Sequence, residues 1–240
     1  MNKVKEYWNA QAQKHQDNPL ATTGDVLAAE LEVKEILKYL QDGQTVLDIG
    51  CGNGYKDAEY CRQRDITLKG VDYSEDMIAV AKQYESPRLK FEHGDILKLN
   101  EANKYDVVIT DRCLINLDNT EAQIKAIDNV YNMLKPSGIY LMLECTKSGL
   151  HNINKVREQF GLGAITERWH NNYLTCEVLQ YAVLKFDLIE ITNFNSTYFL
   201  ISRTINALMG NQYDSEINKY AAQLPPLGDY SPLKLFVLRK

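Results

Sequence analysis

TVLDIGCGNG, residues 45–54, is the stretch around which the rest of the chain is arranged. Val46, Leu47 and Ile49 form a short apolar run of the kind buried in a parallel sheet, and Asp48 is an acid placed just before a turn. Gly50, Gly52 and Gly54 follow at alternate positions. Lacking Cβ atoms, they permit the positive φ angles of a tight strand-to-helix turn and let a small molecule lie directly on main chain. The spacing then discriminates between ligands. A dinucleotide turn requires G-x-G-x-x-G, whose third glycine lets helix and strand pack closely, and that position counted from Gly50 is Tyr55. A nicotinamide cofactor is disfavoured on this ground, and an acid beside the turn suits a ligand with an amino-acid end better than a pyrophosphate.

Four further segments fall at fitting distances. Residues 66–72, ITLKGVD, form a second strand-like run that ends in Asp72, roughly 20 positions after the turn, where a carboxylate can accept both ribose hydroxyl hydrogens. Ser74 then caps a helix whose first turn carries Glu75 and Asp76, as the helix dipole prefers. Residues 89–91 are a third strand, followed by His93-Gly94-Asp95-Ile96; residues 104–112, KYDVVITDR, are a fourth. Lys135-Pro136-Ser137-Gly138 closes a helix and opens a fifth strand over 139–143.

Together with D-x-G-x-G-x-G at 48–54, these segments closely resemble the class I S-adenosylmethionine-dependent methyltransferases over residues 46–144. The resemblance implies an α/β fold: a Rossmann-like, seven-stranded, mostly parallel sheet with helices on both faces, the last strand antiparallel. It also implies an N-terminal helical lid and an insertion after strand 5. The cofactor implied is S-adenosylmethionine, leaving as S-adenosylhomocysteine, and no metal is expected. Its implied contacts are Asp48 near the ammonium or sulfonium, Gly50, Gly52 and Gly54 under the amino-acid end, and Asp72 on the ribose. Tyr73 and Met77 would line the adenine pocket, Asp95 would receive the adenine amino group, and the backbone amide of Ile96 would read the ring. Asp111 would end a strand facing both ligands, and Tyr7 would reach the cofactor from the lid.

Composition narrows the function classes. The 240 residues suffice for one globular unit, read as residues 1–43 for helices and lid, 44–143 for the cofactor core, and 144–240 for a substrate-side insertion and the closing strands. A net charge of −5 argues against nucleic acid as the main partner. Cys51, Cys61, Cys113, Cys145 and Cys176 are scattered and contain no C-x-x-C, so neither a disulfide framework nor a zinc site is indicated, and a reducing, cytoplasmic setting is expected. The polar start after Met1 lacks an apolar signal region, and no apolar run approaches membrane-spanning length, so no membrane insertion is expected. The partner expected is a small-molecule acceptor, with a homodimer left open.

Residues 3–16 read as a polar helix with the aromatic pair Tyr7 and Trp8, either a lid or a terminus docked by Trp8. Residues 25–41 form a stronger amphipathic helix that covers the sheet. From 44 to 143 strand and helix alternate four times and end in the fifth strand; the helix at 120–134 starts with a capping box, Thr120-Glu121-Ala122-Gln123. Residues 144–175 form a long polar insertion with Gly149, Gly161 and Gly163 as bends. A short helix over 176–184, a sixth strand over 186–194, a helical excursion over 200–223 and a closing strand over 232–239 complete the pattern.

The acceptor side is read from polar residues at the sheet's carboxyl edge. Within Glu167-Arg168-Trp169-His170-Asn171-Asn172-Tyr173, Arg168 and Trp169 are candidate substrate contacts, and His170 is the candidate base for a hydroxyl acceptor, with His151 as runner-up. Asn116 and Tyr198 are further candidates. Arg112 has two readings: a guanidinium fork for acceptor carboxylate or phosphate oxygens, or the ion-pair partner of an acid. With Arg168 and Arg203 it suggests an anionic acceptor. ERWHNNY, NFNSTY and LGDYSPLKLFVLRK resemble, more faintly, methyltransferases encoded with bacterial surface-polysaccharide genes, which implies an acceptor such as a sugar nucleotide or a phosphoryl-modified glycan precursor. The expected activity is methyl transfer to an O or N atom; a noncatalytic cofactor-binding module and a nicotinamide-dependent oxidoreductase are the alternatives.

Overall fold

Four of the five residues of β1 (Thr45–Ile49) are fully buried, because parallel neighbours cover both its edges and helices cover both its faces. The computed structural model describes residues 3–210 and 215–240. Seven strands form one sheet in the order β3-β2-β1-β4-β5-β7-β6. They are β1, β2 (Thr67–Asp72), β3 (Leu89–His93), β4 (Tyr105–Asp111), β5 (Leu134–Cys145), β6 (Asp187–Thr192) and β7 (Leu233–Arg239). β7 runs antiparallel to both β5 and β6, as expected. The chain passes from β1 to β2 on one side and returns to β4 on the other, so the switch in winding direction opens a crevice at the carboxyl end of β1.

Helices α1 (Lys3–His15) and α2 (Val26–Ile36) precede the sheet; α3 (Tyr55–Gln63) follows β1 and α4 (Glu75–Ala81) follows β2. Ser74 caps α4, its side chain accepting from the Met77 amide. Between β3 and β4 the alternation fails: residues 94–104 form turns about Asp95, whose carbonyl accepts from Lys98 and Leu99, and no helix. Helix α5 (Thr120–Met133) begins one residue earlier than the capping box suggested. Asn119 is its cap, accepting from the Ala122 amide, and Gln123 instead donates to the carbonyls of Leu114 and Asn172. β5 already starts at Leu134, with Ser137 at φ 63 marking an irregularity near its beginning.

Thirteen residues of the polar insertion at 144–175 are helical. Gly149 lies inside α6 (Lys147–Gln159), where an added Cβ would meet the Ser231 carbonyl at 2.3 Å, so it is a packing glycine and not a bend. Residues 160–175 then run irregularly across the sheet edge to α7 (Cys176–Lys185). Asn195-Ser196-Thr197-Tyr198 does not trail from β6 as an open polar end; it starts α8 (Ser196–Leu200), which continues through a π-helical turn, Ile201–Ile205, into α9 (Asn206–Leu208). Of the helical excursion read at 200–223, residues 211–214 lie outside the described residues, and α10 (Glu216–Ala221) follows them. No helix among the described residues is long and apolar enough to cross a membrane.

Candidate functional site

The turn after β1 is built for close approach. Gly50, Gly52 and Gly54 adopt φ of 86°, 55° and 76°, the left-handed region in which a side chain is strained. A Cβ on Gly52 would lie 2.5 Å from Thr22 Cγ2. The Gly50 amide donates to the Val71 carbonyl at 2.7 Å and the Gly52 amide to Asp72 Oδ2 at 3.0 Å, so the turn is tied to the end of β2. Asp72 Oδ1 accepts from the Ser74 amide at 2.8 Å; burial raises its pKa while these amides hold it down.

A cavity of about 500 Å³ opens over this turn. Of the residues read as cofactor contacts, Asp48, Gly50, Gly52, Asp72, Tyr73, Met77, Asp95, Ile96 and Asp111 line it. Gly54 stands behind, where a Cβ would meet Phe91 and Ala81. Among those lining residues, Asp48, Asp72, Asp95 and Asp111 are acids, and they stand around main chain left bare by Gly50 and Gly52. The wall thus offers acceptor oxygens of short acids beside bare main chain, a set that fits the ammonium, hydroxyl and amino donors of an amino-acid nucleoside. S-adenosylmethionine therefore fits the residues present.

Tyr7 is not on the cavity wall; Trp8 is. Helix α1 packs against α4 through Lys5–Glu75, Gln13–Asp76 and Asn9–Ser74, and Trp8 Nε1 donates to Asn116 Oδ1 at 3.1 Å. Tyr7 stacks on the imidazole of His170, with ring centroids 4.3 Å apart and an interplanar angle of 26°. Trp8 thus docks α1 through Asn116 and forms part of the cavity wall.

On the acceptor side, Arg112, Asn116, Arg168 and His170 line the cavity. Trp169 and Tyr198 do not. Trp169 is 63% exposed and touches Tyr7 and His170 edge-on outside the cavity. Tyr198 is buried behind the wall and donates to Asp25 Oδ1 at 2.7 Å. Arg112 takes the second of its two readings. It starts the loop after β4 at φ 52°, and its fork lies on Glu32, Nη1 to Oε1 at 2.9 Å and Nη2 to Oε2 at 2.7 Å, with Nε 3.3 Å from Asp111. Lys56 joins Glu32 and Asp111 in the same network. Although burial opposes it, Arg112 and Lys56 hold Asp111 below the usual carboxylate range.

Arg203 likewise donates to Asp25 Oδ2 at 2.7 Å. Arg168 is exposed at the cavity wall, and its guanidinium makes no hydrogen bond or ion pair among the described residues. His170 is 7% exposed with Nδ1 unpartnered, and burial, aided by the Arg168 charge, lowers its pKa, so the imidazole is neutral at pH 7. His151 is exposed on α6, and His93 lies outside the cavity, 3.0 Å from the Tyr73 carbonyl.

Sequence reasoning missed the α2 face of the site. Glu32 and Asp25 line the cavity, and a signal existed: Glu32 and Glu35 interrupt the apolar stripe of α2, and both are buried. Glu144 at the end of β5 was also missed. It is fully buried, its Oε1 accepting from the amides of Cys113 and Leu114 at 3.0 and 2.9 Å, and burial pushes its pKa up to about 8. It fixes the turn that carries Asn116.

A family model described as a methyltransferase domain matches residues 40–196. Among curated proteins, a putative methyltransferase, 235L, of Invertebrate iridescent virus 6 is 35% identical over 116 residues, covering 47% of this chain and 42% of its own length. A demethylmenaquinone methyltransferase of Leptospira interrogans is 33% identical over 133 residues, covering 48% of each. The chain thus spans less than half the length of these relatives. Among solved structures, the N-methyltransferase NodS of Bradyrhizobium japonicum, in complex with S-adenosyl-L-homocysteine, superposes with a TM-score of 0.63 at 15% identity, covering 100% of this chain and 99% of its own. The [4+2]-cyclase SpnF gives a TM-score of 0.66 at 17% identity, covering 100% and 94%. At such identities the likeness is one of fold, and the cyclase illustrates that one fold carries different chemistries.

Proposed function

The chain belongs to the methyltransferase-domain family, and we propose that it transfers a methyl group from S-adenosylmethionine to an oxygen or nitrogen of a small polar, anionic acceptor, such as a sugar nucleotide or phosphoryl-modified glycan precursor. The observation that carries this reading is that one cavity is lined both by the positive-φ glycine turn with Asp48 and Asp72 and by the neutral His170 with Arg168, which makes no ion pair among the described residues.

When bound, the sulfonium supplies an electrophilic methyl group, and its displacement needs alignment and dryness more than acid or metal help. The chain provides both. The glycine turn and Asp48 hold the amino-acid end, Asp72 the ribose, and Tyr73, Met77, Asp95 and Ile96 the adenine. Trp8, hydrogen-bonded to Asn116, lines the cavity and shields part of it from water. The His170 imidazole takes the hydroxyl proton of the acceptor as the oxygen–carbon bond forms and the sulfur–carbon bond breaks. Arg168 receives an acceptor carboxylate or phosphate, the role that Glu32 denies to Arg112.

The alternative of a noncatalytic binding module is disfavoured by a base candidate placed in the same cavity, and a nicotinamide-dependent oxidoreductase by Tyr55 at the third glycine position. The test is incubation with methyl-labelled S-adenosylmethionine and a panel of sugar nucleotides and phosphorylated acceptors. Label in an acceptor, lost with His170→Gln, supports the reading; cofactor binding with no transfer across the panel favours the binding module.

A further inference from the structure

Behind the cofactor end of the cavity lies a second carboxyl that the reaction does not use. Asp57, in the first turn of α3, is fully buried, and neither of its oxygens has a hydrogen-bond partner if both acids of the pair are ionised. Its neighbour within hydrogen-bonding reach is Asp48. The arrangement is built in: Gly70 of β2 makes the room, since a Cβ there would stand 2.6 Å from Asp57 Oδ2. Two adjacent buried carboxylates repel each other, and neither has a donor to share; one proton between them removes both penalties.

We propose that Asp57 is the positioning residue for the cofactor's ammonium group: it holds the shared proton and donates a hydrogen bond through it to Asp48, which leaves Asp48, on the cavity wall, as a carboxylate. This rests on the cofactor reading above. The proton sits on Asp57 because that acid is the more deeply enclosed. Burial and the Asp48 charge both push Asp57 well above the carboxylate range, whereas the hydrogen bond from Asp57 works against burial at Asp48, which is pushed up only to about 7. The other groups acting on the pair are Asp111, Asp72 and Lys56 around Asp48, and Cys61 and Lys56 around Asp57. Lys56 is already engaged by Glu32 and Asp111. An ammonium at the Asp48 carboxylate completes the charge balance, and Asp57 itself never touches it.

The experiment compares S-adenosylhomocysteine with 5′-methylthioadenosine, which carries the same nucleoside without the amino-acid end. Both are titrated calorimetrically into wild type, Asp57→Asn and Asp57→Leu between pH 6 and 9. Asparagine is a permanent donor, so Asp57→Asn keeps S-adenosylhomocysteine affinity within about threefold. In Asp57→Leu, Asp48 loses its donor and retains its own proton to higher pH. Its affinity for S-adenosylhomocysteine at pH 7 drops by about tenfold or more and recovers as pH rises, while 5′-methylthioadenosine binds as to wild type. Wild-type behaviour of the leucine variant at every pH overturns the proposal, as does an asparagine variant as weak as the leucine one. Should wild type bind neither compound, the cofactor reading itself falls, and the proposal with it.

Discussion

The two ends of the cavity are made in different ways. The cofactor end is made of consecutive residues at strand ends, where β1, β2 and β4 are held in register and Ile49 is paired with Val71 and with Thr110. Its recognition elements are main chain and short acids, whose positions follow from the strands alone. The acceptor end is assembled from side chains on α1, α2, residues 165–173 and residues 195–203, brought together only by helix docking. There, charge is mostly neutralised within the protein: Glu32 with Arg112 and Lys56, Asp25 with Arg203. The difference teaches that an unpaired charge, such as Arg168, says more about an acceptor than an arginine's place in the sequence does.

The comparison can be broken most severely at the glycine turn. Gly52→Val, which combines a strained φ with a clash against Thr22, is expected to weaken S-adenosylhomocysteine by more than ~1000-fold in calorimetry while the circular dichroism spectrum stays native. At the other end, His170→Gln is expected to lower kcat for a hydroxyl acceptor by about 100- to 1000-fold with S-adenosylhomocysteine affinity unchanged. The base must be neutral and its pKa lies below the ordinary histidine value of 6.5. Wild-type activity therefore persists to mildly acidic pH before it falls, and the pH–rate profile of the variant lacks that acid limb.

The two arginines separate next. Arg112→Ala leaves the fully buried Glu32 with Lys56 alone, and denaturant unfolding should show a loss of about 3 kcal/mol. Arg168→Ala should leave the midpoint unchanged within about 0.5 kcal/mol and raise KM for an anionic acceptor by about tenfold. Equal KM in wild type and Arg168→Ala removes the argument for an anionic acceptor. The smallest effect is expected at Trp169, exposed outside the cavity: Trp169→Ala should change kcat and KM by no more than about threefold, through a loosened His170.

How far the sequence speaks follows from the same contrast. Apolar runs ending in Ile49, Asp72 and Asp111 place β1, β2 and β4 almost to the residue, since the side-chain period and the turn residues fix both face and end. Capping chemistry is legible where it is local, as at Ser74, and ambiguous where two candidates adjoin, as at Asn119 and Thr120. What cannot be read is which remote side chain meets which. Arg112 and Glu32 are 80 positions apart, and Tyr198 and Asp25 are 173 apart, so both pairings depend on how α2 lies over the sheet edge. Tyr198 and Trp169 carried the right chemistry for a ligand, but packing turned one inward to Asp25 and the other outward to α1.

Whether this cavity receives the nucleoside and amino-acid ends of S-adenosylmethionine is decided by calorimetric titration of S-adenosylhomocysteine into wild type and Asp72→Ala, both freed of carried-over cofactor. A carboxylate accepting ribose hydroxyls contributes about 1.5–3 kcal/mol per hydrogen bond. Stoichiometric binding to wild type and a loss of about 100-fold or more in the variant are therefore expected. Folded, cofactor-free wild type that takes up no S-adenosylhomocysteine, or an Asp72→Ala variant that binds it equally well, would contradict the account.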